Sequence, residues 1–453
     1  MENVVSRGVQ KGVQWVDVTD MLVWSGHYTG IQRVTYEYAK RFEQDGAKFF
    51  AYDSKRERFF EISLKEIVER EDVIPHSAEP TNSARSIKRR IRRFIGAPYY
   101  KLDDSTRAFL HPYVQATNHT VRSIIHVIEY VGAKDSMVAV TVGSPYGSHR
   151  EARFSKHDTL ILLGAGWNEM NVLRRLRDLK QDVGFRISQH INDILPIYQP
   201  HLFASELPKY FLPYIKLALE TADVITVISK ATKRDVETFC KQQGVLKKPE
   251  VVVVRLGDNP QVDVTPSKPK DVAADEKFIL AVGTFEIRKN YHLLYQAIKL
   301  AELENRIMPK IVIAGRRGWL TEDLRHVLAN DPFVKAHIIW LNDVNDSELK
   351  WLYDRCMFTV FPSLAEGWGL PIVESLGYGK MCIASGVSSM LEIGEGLVDY
   401  FLPYDARECM EKIIHYSNEN LYLAKNEEVA KLYKVFSWDA SYRQLVDAIS
   451  LLK

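Results

Sequence analysis

Two short stretches hold residue types that could do chemistry together. In AVGTFEIRKNYHLL (281–294), Arg288 and Lys289 stand where a β-rich run gives way to a helical pattern. In FPSLAEGWGLPIVESLGYGK (361–380), Glu366 and Glu374 lie eight positions apart, with Gly367, Trp368, Gly369, Leu370 and Pro371 between them. Two cations before a helix N-terminus, itself the positive end of a dipole, suit a diphosphate. Read alone, the pair suits a solvated helix start equally well. Glycines let backbone N–H groups approach a ligand closely. A loop acid followed by an acid in the first turns of a helix could then grip two parts of one extended polar ligand, such as two sets of sugar hydroxyls. By itself that spacing favours a plainer reading, an incidental loop acid and a Glu374 that stabilises the helix dipole.

The elements that must position these residues are strands alternating with helices. Strand candidates are 159–166, 222–229, 250–257, 277–284, 310–315, 337–342 and 358–363, nearly continuous apolar runs such as KFILAVGT and KIVIAG. Such runs suit parallel strands buried on both faces. Helical patterns over 169–181, 230–244 and 291–304 separate them, which gives an α/β protein with doubly wound parallel sheets. Turns at the carboxyl ends of such strands are where these sheets bind ligands. Pro371 is well placed to start a helix, and Gly283 to end a strand. The stretch 258–275 is rich in Pro, Asp and Lys and lacks periodicity, as an interdomain linker does. Two domains follow, 1–262 and 275–435, with no internal repeat.

Composition narrows the classes. A chain of 453 residues is too long for one ordinary core, and 46% hydrophobic with 26% charged residues is the balance of a water-soluble globular protein. A net charge of +2 gives no global pull on nucleic acid. Cys240, Cys356, Cys382 and Cys409 form no CxxC pair, which argues for a reducing compartment and against a disulfide framework or zinc site. The N-terminal residues lack a signal-peptide core and no run of about 18 apolar residues appears, so a cytoplasmic location is expected. The segment 83–96 interleaves basic residues with Ile87, Ile91, Phe94 and Ile95. It fits the cytoplasmic face of an anionic inner membrane, and equally a solvated helix face.

Taken together, VGTFEIRKN upstream and EGWGLPIVE downstream closely resemble the signature of family 4 retaining glycosyltransferases, with its EX7E pair. AGRRGW (314–319), 342–363, SSMLEIGEG (388–396) and FSWDASYRQLVDAI (436–449) look like further landmarks in family order, as do 222–236 and VRLGDNP (254–260). The resemblance is strong from about residue 220 onward and weaker before. It implies a GT-B fold, two Rossmann-like domains facing across a cleft, with the last helix, 436–453, packing back on the first. It also implies a nucleotide-sugar substrate, no metal and no further cofactor. Arg288 and Lys289 then stabilise the leaving diphosphate, Glu366 contacts the donor hexose, and Gly367 to Leu370 offer backbone N–H groups. Glu374 takes the ribose hydroxyls, and the region of Gly315 and Leu341 to Val344 receives the base.

On the acceptor side, SGHYTGIQRV (25–34) looks like the family's glycine-rich loop, with Gly26 and Gly30 near the diphosphate or simply in a structural turn. In SQHINDILPIYQPHLF (188–203), Asp193 and the prolines match the family, but Asn192 stands where a histidine is usual. His190 lies on the same side of a strand and could take that catalytic place or serve as a structural histidine. Thr284 after Gly283 resembles a subgroup that builds bacterial surface polysaccharide with mannose or related donors. GDP-mannose as donor and a glycan or lipid-linked saccharide of O-antigen or capsule as acceptor are the resulting expectations. The alternatives are a sugar-nucleotide epimerase of the same fold and a silent sugar-nucleotide-binding scaffold.

Overall fold

A computed structural model describes residues 12–23, 30–71, 149–245, 249–258, 264–394 and 396–452. Gly26 and the basic segment 83–96 lie outside them. The architecture below belongs to the unit formed by residues up to 64 and from 152 onward. The separate unit 65–151 contributes to the described structure only the rest of the helix Leu64–Glu71 and residues 149–151.

The first sheet contains β1 (Gln14–Asp17), β2 (Lys48–Asp53), β3 (Arg58–Ile62), β4 (Thr159–Leu162), β5 (Arg186–Ile191), β6 (Val224–Val227) and β7 (Glu250–Val253). Its order is β3-β2-β1-β4-β5-β6-β7. All neighbours run parallel except the β2–β3 hairpin, which gives the sheet an antiparallel edge. The second sheet contains β8 (Phe278–Val282), β9 (Lys310–Ala314), β10 (Ile338–Leu341), β11 (Thr359–Phe361), β12 (Cys382–Ser385) and β13 (Val398–Phe401). It is parallel throughout in the order β10-β9-β8-β11-β12-β13, the doubly wound arrangement. Helices bury both faces of the central strands, which is why VITV of β6 and CIAS of β12 are enclosed at every position.

Local sequence sets the helix starts. Ser229 accepts a hydrogen bond from the Thr232 amide at 3.0 Å and opens Lys230–Gln242. Ser437 does the same for the Ala440 amide at 3.1 Å, opening Trp438–Ser450. Asn345 and Glu348 form a capping box at Asp346–Arg355.

That last helix, Trp438–Ser450, lies on the first domain. Tyr38 and Ser441 share a hydrogen bond of 2.7 Å, Tyr442 donates to Asp45 at 2.8 Å, and Trp438 meets the Tyr38 ring edge-on. The chain therefore passes between the two sheets twice, near 254–258 and near 433–438. Asp258, 1% exposed, fastens the crossings together. Its carboxylate accepts from the Phe436 amide and the Tyr433 hydroxyl at 2.5 Å each and from Arg255 at 2.9 Å, while its own amide donates to Phe436 O at 2.9 Å.

The stretch 258–275 joins β7 of the first sheet to β8 of the second, and its described part packs against the second domain. Val272 is buried in the second core, Ser267 donates to Ser347 O, and Lys268 binds the Pro269 and Val272 carbonyls. Replacing Asp258 by Ala leaves a half-buried arginine, tyrosine and amide short of an acceptor. We expect a loss of about 3 kcal/mol, read as a lower midpoint of denaturant unfolding, with Asp258→Asn retaining part of it.

Candidate active site

In the second sheet the strand order reverses between β8 and β11, so the loops after these strands leave toward opposite faces and open a crevice. The two residue groups predicted from sequence sit in those loops, because Leu280 of β8 and Thr359 of β11 are register partners. The β8 loop makes a tight turn at Ile287–Lys289 and then places Asn290 in the left-handed region, with φ 57°, a conformation asparagine tolerates. Asn290 Nδ2 donates to Pro362 O at 3.0 Å and Pro403 O at 2.7 Å. The Leu364 amide donates to Arg288 O at 2.8 Å, so the two loops are laced into one body.

Glu366 is the centre of this body. Lys289 Nζ donates to Glu366 Oε1 at 2.7 Å, and Arg288 Nη1 donates to Glu366 Oε2 and, at 3.1 Å, to Ala365 O. Arg288 Nη2 lies 2.7 Å from Glu286 Oε1, a second buried carboxylate. Burial pushes the Glu366 carboxyl up, but Arg288 and then Lys289 outweigh it and hold it at about 2. Burial pulls the Lys289 ammonium down, only partly offset by Glu366. Glu286 moves the other way, raised by burial against the pull of Arg288. Glu366 is thus a fixed carboxylate that accepts hydrogen bonds and has no proton to give.

The backbone around Glu366 is pinned as well. Ser389 Oγ lies 2.7 Å from both Glu366 O and Trp368 O and has one proton to share between them, and Ser388 Oγ accepts from the Glu366 amide at 3.1 Å. Gly369 has φ 142° and precedes the helix Leu370–Gly377, in which Pro371 occupies the first turn. Gly367 is required by close approach, since a Cβ there would stand 2.8 Å from Asn192 O and 2.9 Å from Asp193 Cβ of the first domain. Trp368 is buried with the Arg255 guanidinium 5.9 Å from its ring.

Glu374 sits one turn into that helix. Tyr353 Oη donates to its Oε2 at 3.1 Å, and Arg33 Nη1 donates to its Oε1 from the helix Ile31–Gln44 of the first domain. Asp193 caps its own turn through the Leu195 amide at 3.0 Å. Burial raises its carboxyl, with Arg288 the leading opposing charge and Glu366 adding to the rise. Asp193 is therefore electrostatically part of the Glu366 group.

His190 is not joined to that group by any described hydrogen bond. It is 2% exposed on β5, its Nδ1 is 2.9 Å from Thr226 Oγ1, and its ring meets Tyr38 edge-on at 5.8 Å. Burial pulls its pKa down to about 4, so the ring is neutral at ordinary pH and weakly basic. Gly30, with φ 53°, precedes the helix Ile31–Gln44. Gly283 O accepts the Tyr291 hydroxyl at 3.0 Å, and Thr284 O accepts the Glu286 amide at 2.8 Å. In the region predicted to receive a base, Trp340 Nε1 donates to Gly315 O at 2.8 Å and its ring stacks on Phe285 at 4.3 Å.

Four residues of this neighbourhood escape the sequence reading as site residues: Glu286, Arg33, Tyr353 and Ser389. All four lie in stretches that resemble family landmarks, Glu286 in 281–294, Arg33 in 25–34, Tyr353 in 342–363 and Ser389 in 388–396, but only the folded chain shows that they meet Glu366 and Glu374. At the first sheet's own point of reversal, between β1 and β4, Asp17 accepts Thr19 Oγ1 at 2.5 Å and Asp20 accepts the Ala165 amide at 2.9 Å. Burial raises both carboxyls, Asp17 to about 7. Among the described residues no group of three or more His, Cys, Asp or Glu side chains could hold a metal ion, and no helix is long and apolar enough to cross a membrane.

Two doubly wound α/β domains, the second with cations and carboxylates at its switch point, define the GT-B class of glycosyltransferase folds. Residues 265–431 match the family "Glycosyl transferases group 1". Among curated relatives, the chain is 25% identical over 281 residues to the serotype-specific mannosyltransferase WbdA of Escherichia coli, covering 59% of this chain and 34% of the relative. It is 32% identical over 179 residues to the O-antigen chain mannosyltransferase B of Escherichia coli, covering 39% and 46%. The chain thus spans less than half the length of these relatives. Anabaena HepE, solved with UDP and glucose, matches over 97% of this chain and 100% of its own at 15% identity with a TM-score of 0.56, a likeness of fold.

The buried histidine gives a pH prediction. Unfolded His190 takes up a proton below about pH 6.5, whereas the folded ring resists protonation until about pH 4. Its contribution to stability is therefore complete above pH 6.5 and is lost as the pH falls toward 4, by up to about 3 kcal/mol. Unfolding midpoints measured across this window should fall less steeply in His190→Gln than in the parent chain.

Proposed function

We propose that this chain is a metal-independent, retaining hexosyltransferase. It moves mannose or a similar hexose from a nucleotide-sugar, GDP-mannose by preference, to a glycan or lipid-linked saccharide in bacterial surface-polysaccharide assembly. The observation that carries this reading is Glu366, held as a carboxylate by Arg288 and Lys289 at the reversal of the second sheet. The relatives' mannosyltransferase and O-antigen names support the sugar and the pathway, and the UDP and glucose bound to HepE support a nucleotide-sugar donor.

The chemistry follows from charge. When the bond between the sugar C1 and the diphosphate oxygen breaks, negative charge grows on the leaving group and positive charge on the sugar ring. Arg288, Lys289 and the amides of the Gly367–Leu370 loop are fixed donors for the first. Glu366, fixed and ionised, suits the hexose hydroxyls and lies beside the second charge. The acceptor oxygen bonds to C1 on the face the diphosphate leaves, and a phosphate oxygen of the leaving group takes the acceptor's proton. A carboxylate held at about 2 is a poor general acid or base near neutrality, so Glu366 positions and stabilises without shuttling protons. The silent-scaffold alternative expects loss of the acids or the Arg–Lys pair, and all four groups are in place.

A thermal-shift panel of GDP-, UDP- and dTDP-sugars should raise the unfolding midpoint with one nucleotide class, since a ligand of the folded state stabilises it by mass action. With that donor saturating, Glu366→Gln should keep donor binding, because its neutral amide leaves both cations to the diphosphate, and lose transfer by about a hundredfold or more. Lys289→Ala should weaken the donor itself. Full turnover by Glu366→Gln at saturating donor would sink the assignment.

A further inference from the structure

Arg33 occupies an electrostatically awkward place. It lies in the first turn of Ile31–Gln44, where the helix dipole is positive and a cation is disfavoured. That turn has no acidic residue, and Gly30 provides no side-chain cap for its amides. The guanidinium instead reaches to the second domain and pairs with Glu374, both side chains largely enclosed at 19% and 12% exposure. Burial works against its charge, and Glu374, followed by Glu37 and Asp346, more than restores it.

The pairing conflicts with the role proposed for Glu374. Each of its carboxylate oxygens already has a donor, Arg33 on one and Tyr353 on the other. Tyr353 is held firmly: it is 1% exposed and its ring stacks on Tyr378 at 4.8 Å with 10° between the planes. Arg33 is the partner that can leave, because its long side chain comes from the other domain. A ribose diol arriving at Glu374 replaces the guanidinium donor with two hydroxyl donors. The released guanidinium remains in the first turn of its helix, beside Gly30, which lends the helix amides no side chain. An anion arriving there would meet the arginine and the helix dipole together.

We propose that Arg33 is a donor-responsive positioning residue: it holds Glu374 while the site is empty, yields that carboxylate to the ribose, and transfers to the diphosphate. This rests on the donor reading given under Proposed function. It makes the first domain a participant in donor recognition through a side chain. It also makes the diphosphate, rather than the nucleoside, the part of the donor that the exchange rewards.

The test compares each of GDP, UDP and dTDP with its own nucleoside by isothermal titration calorimetry on the full chain. For the diphosphate that binds the parent, Arg33→Gln should weaken binding about tenfold or more, the scale of one charge-assisted hydrogen bond, while the matching nucleoside binds no worse. Arg33→Lys should recover part of the diphosphate affinity, and it serves in place of Arg33→Gln if that variant does not fold. Glu374→Gln should weaken nucleoside and diphosphate alike. If the Arg33 variants change both ligands by the same factor, or neither, the exchange is overturned and Arg33 is only an interdomain clasp. If the parent binds none of the three diphosphates, the donor reading itself fails.

Discussion

Everything at the site depends on burying one carboxylate beneath two cations where a parallel sheet reverses direction. An unpaired Glu366 in that place would cost several kcal/mol, and breaking a buried ion pair typically costs about 3–5 kcal/mol. The group therefore has to be satisfied as a unit. Arg288 bridges Glu366 and Glu286, Lys289 takes the remaining oxygen of Glu366, and Asp193 adds its field from the first domain. Asn290 and Ser389 do no chemistry in this scheme, yet they hold the two loops at the spacing the ion pairs need. The adjacent Arg-Lys-Asn triplet combines two charges with the bolt that fixes them.

How much of this was legible in the chain depends on what each feature requires. The central strands β4, β6, β8 and β9 announce themselves because burial on both faces demands unbroken apolar runs. β1, β2, β3, β5, β12 and β13 are not among the strand candidates, for the opposite reason. Segments such as QWVD, RFFEI and RISQHI mix polar and apolar residues. The antiparallel turn of β3 depends on pairing with β2 and leaves no periodic trace of its own.

The site shows the same division. Arg288, Lys289, Glu366 and Glu374 were visible because the loops that present them are continuous segments of characteristic composition. Arg33 and Tyr353 were not, because they reach Glu374 from elements 341 and 21 residues away and either would pass as an ordinary surface or core residue. His190 was visible as a histidine near a family position, but no pattern could tell whether its ring faced the crevice group. Its hydrogen bond to Thr226 and contact with Tyr38 are products of sheet register and helix packing.

The double crossing at Asp258 has a mechanical consequence. A single flexible tether would leave the two domains free to swivel in any direction. Here two segments pass side by side and are riveted to each other by one aspartate that bonds the Phe436 amide and the Tyr433 hydroxyl of the returning segment. Two adjacent pins define a line, and a line permits one rotation, like a door on its hinges. Motion about it would carry the first domain's loops toward or away from the second along a repeatable arc. Reproducible registry across the crevice is thus built into the backbone at the crossing itself.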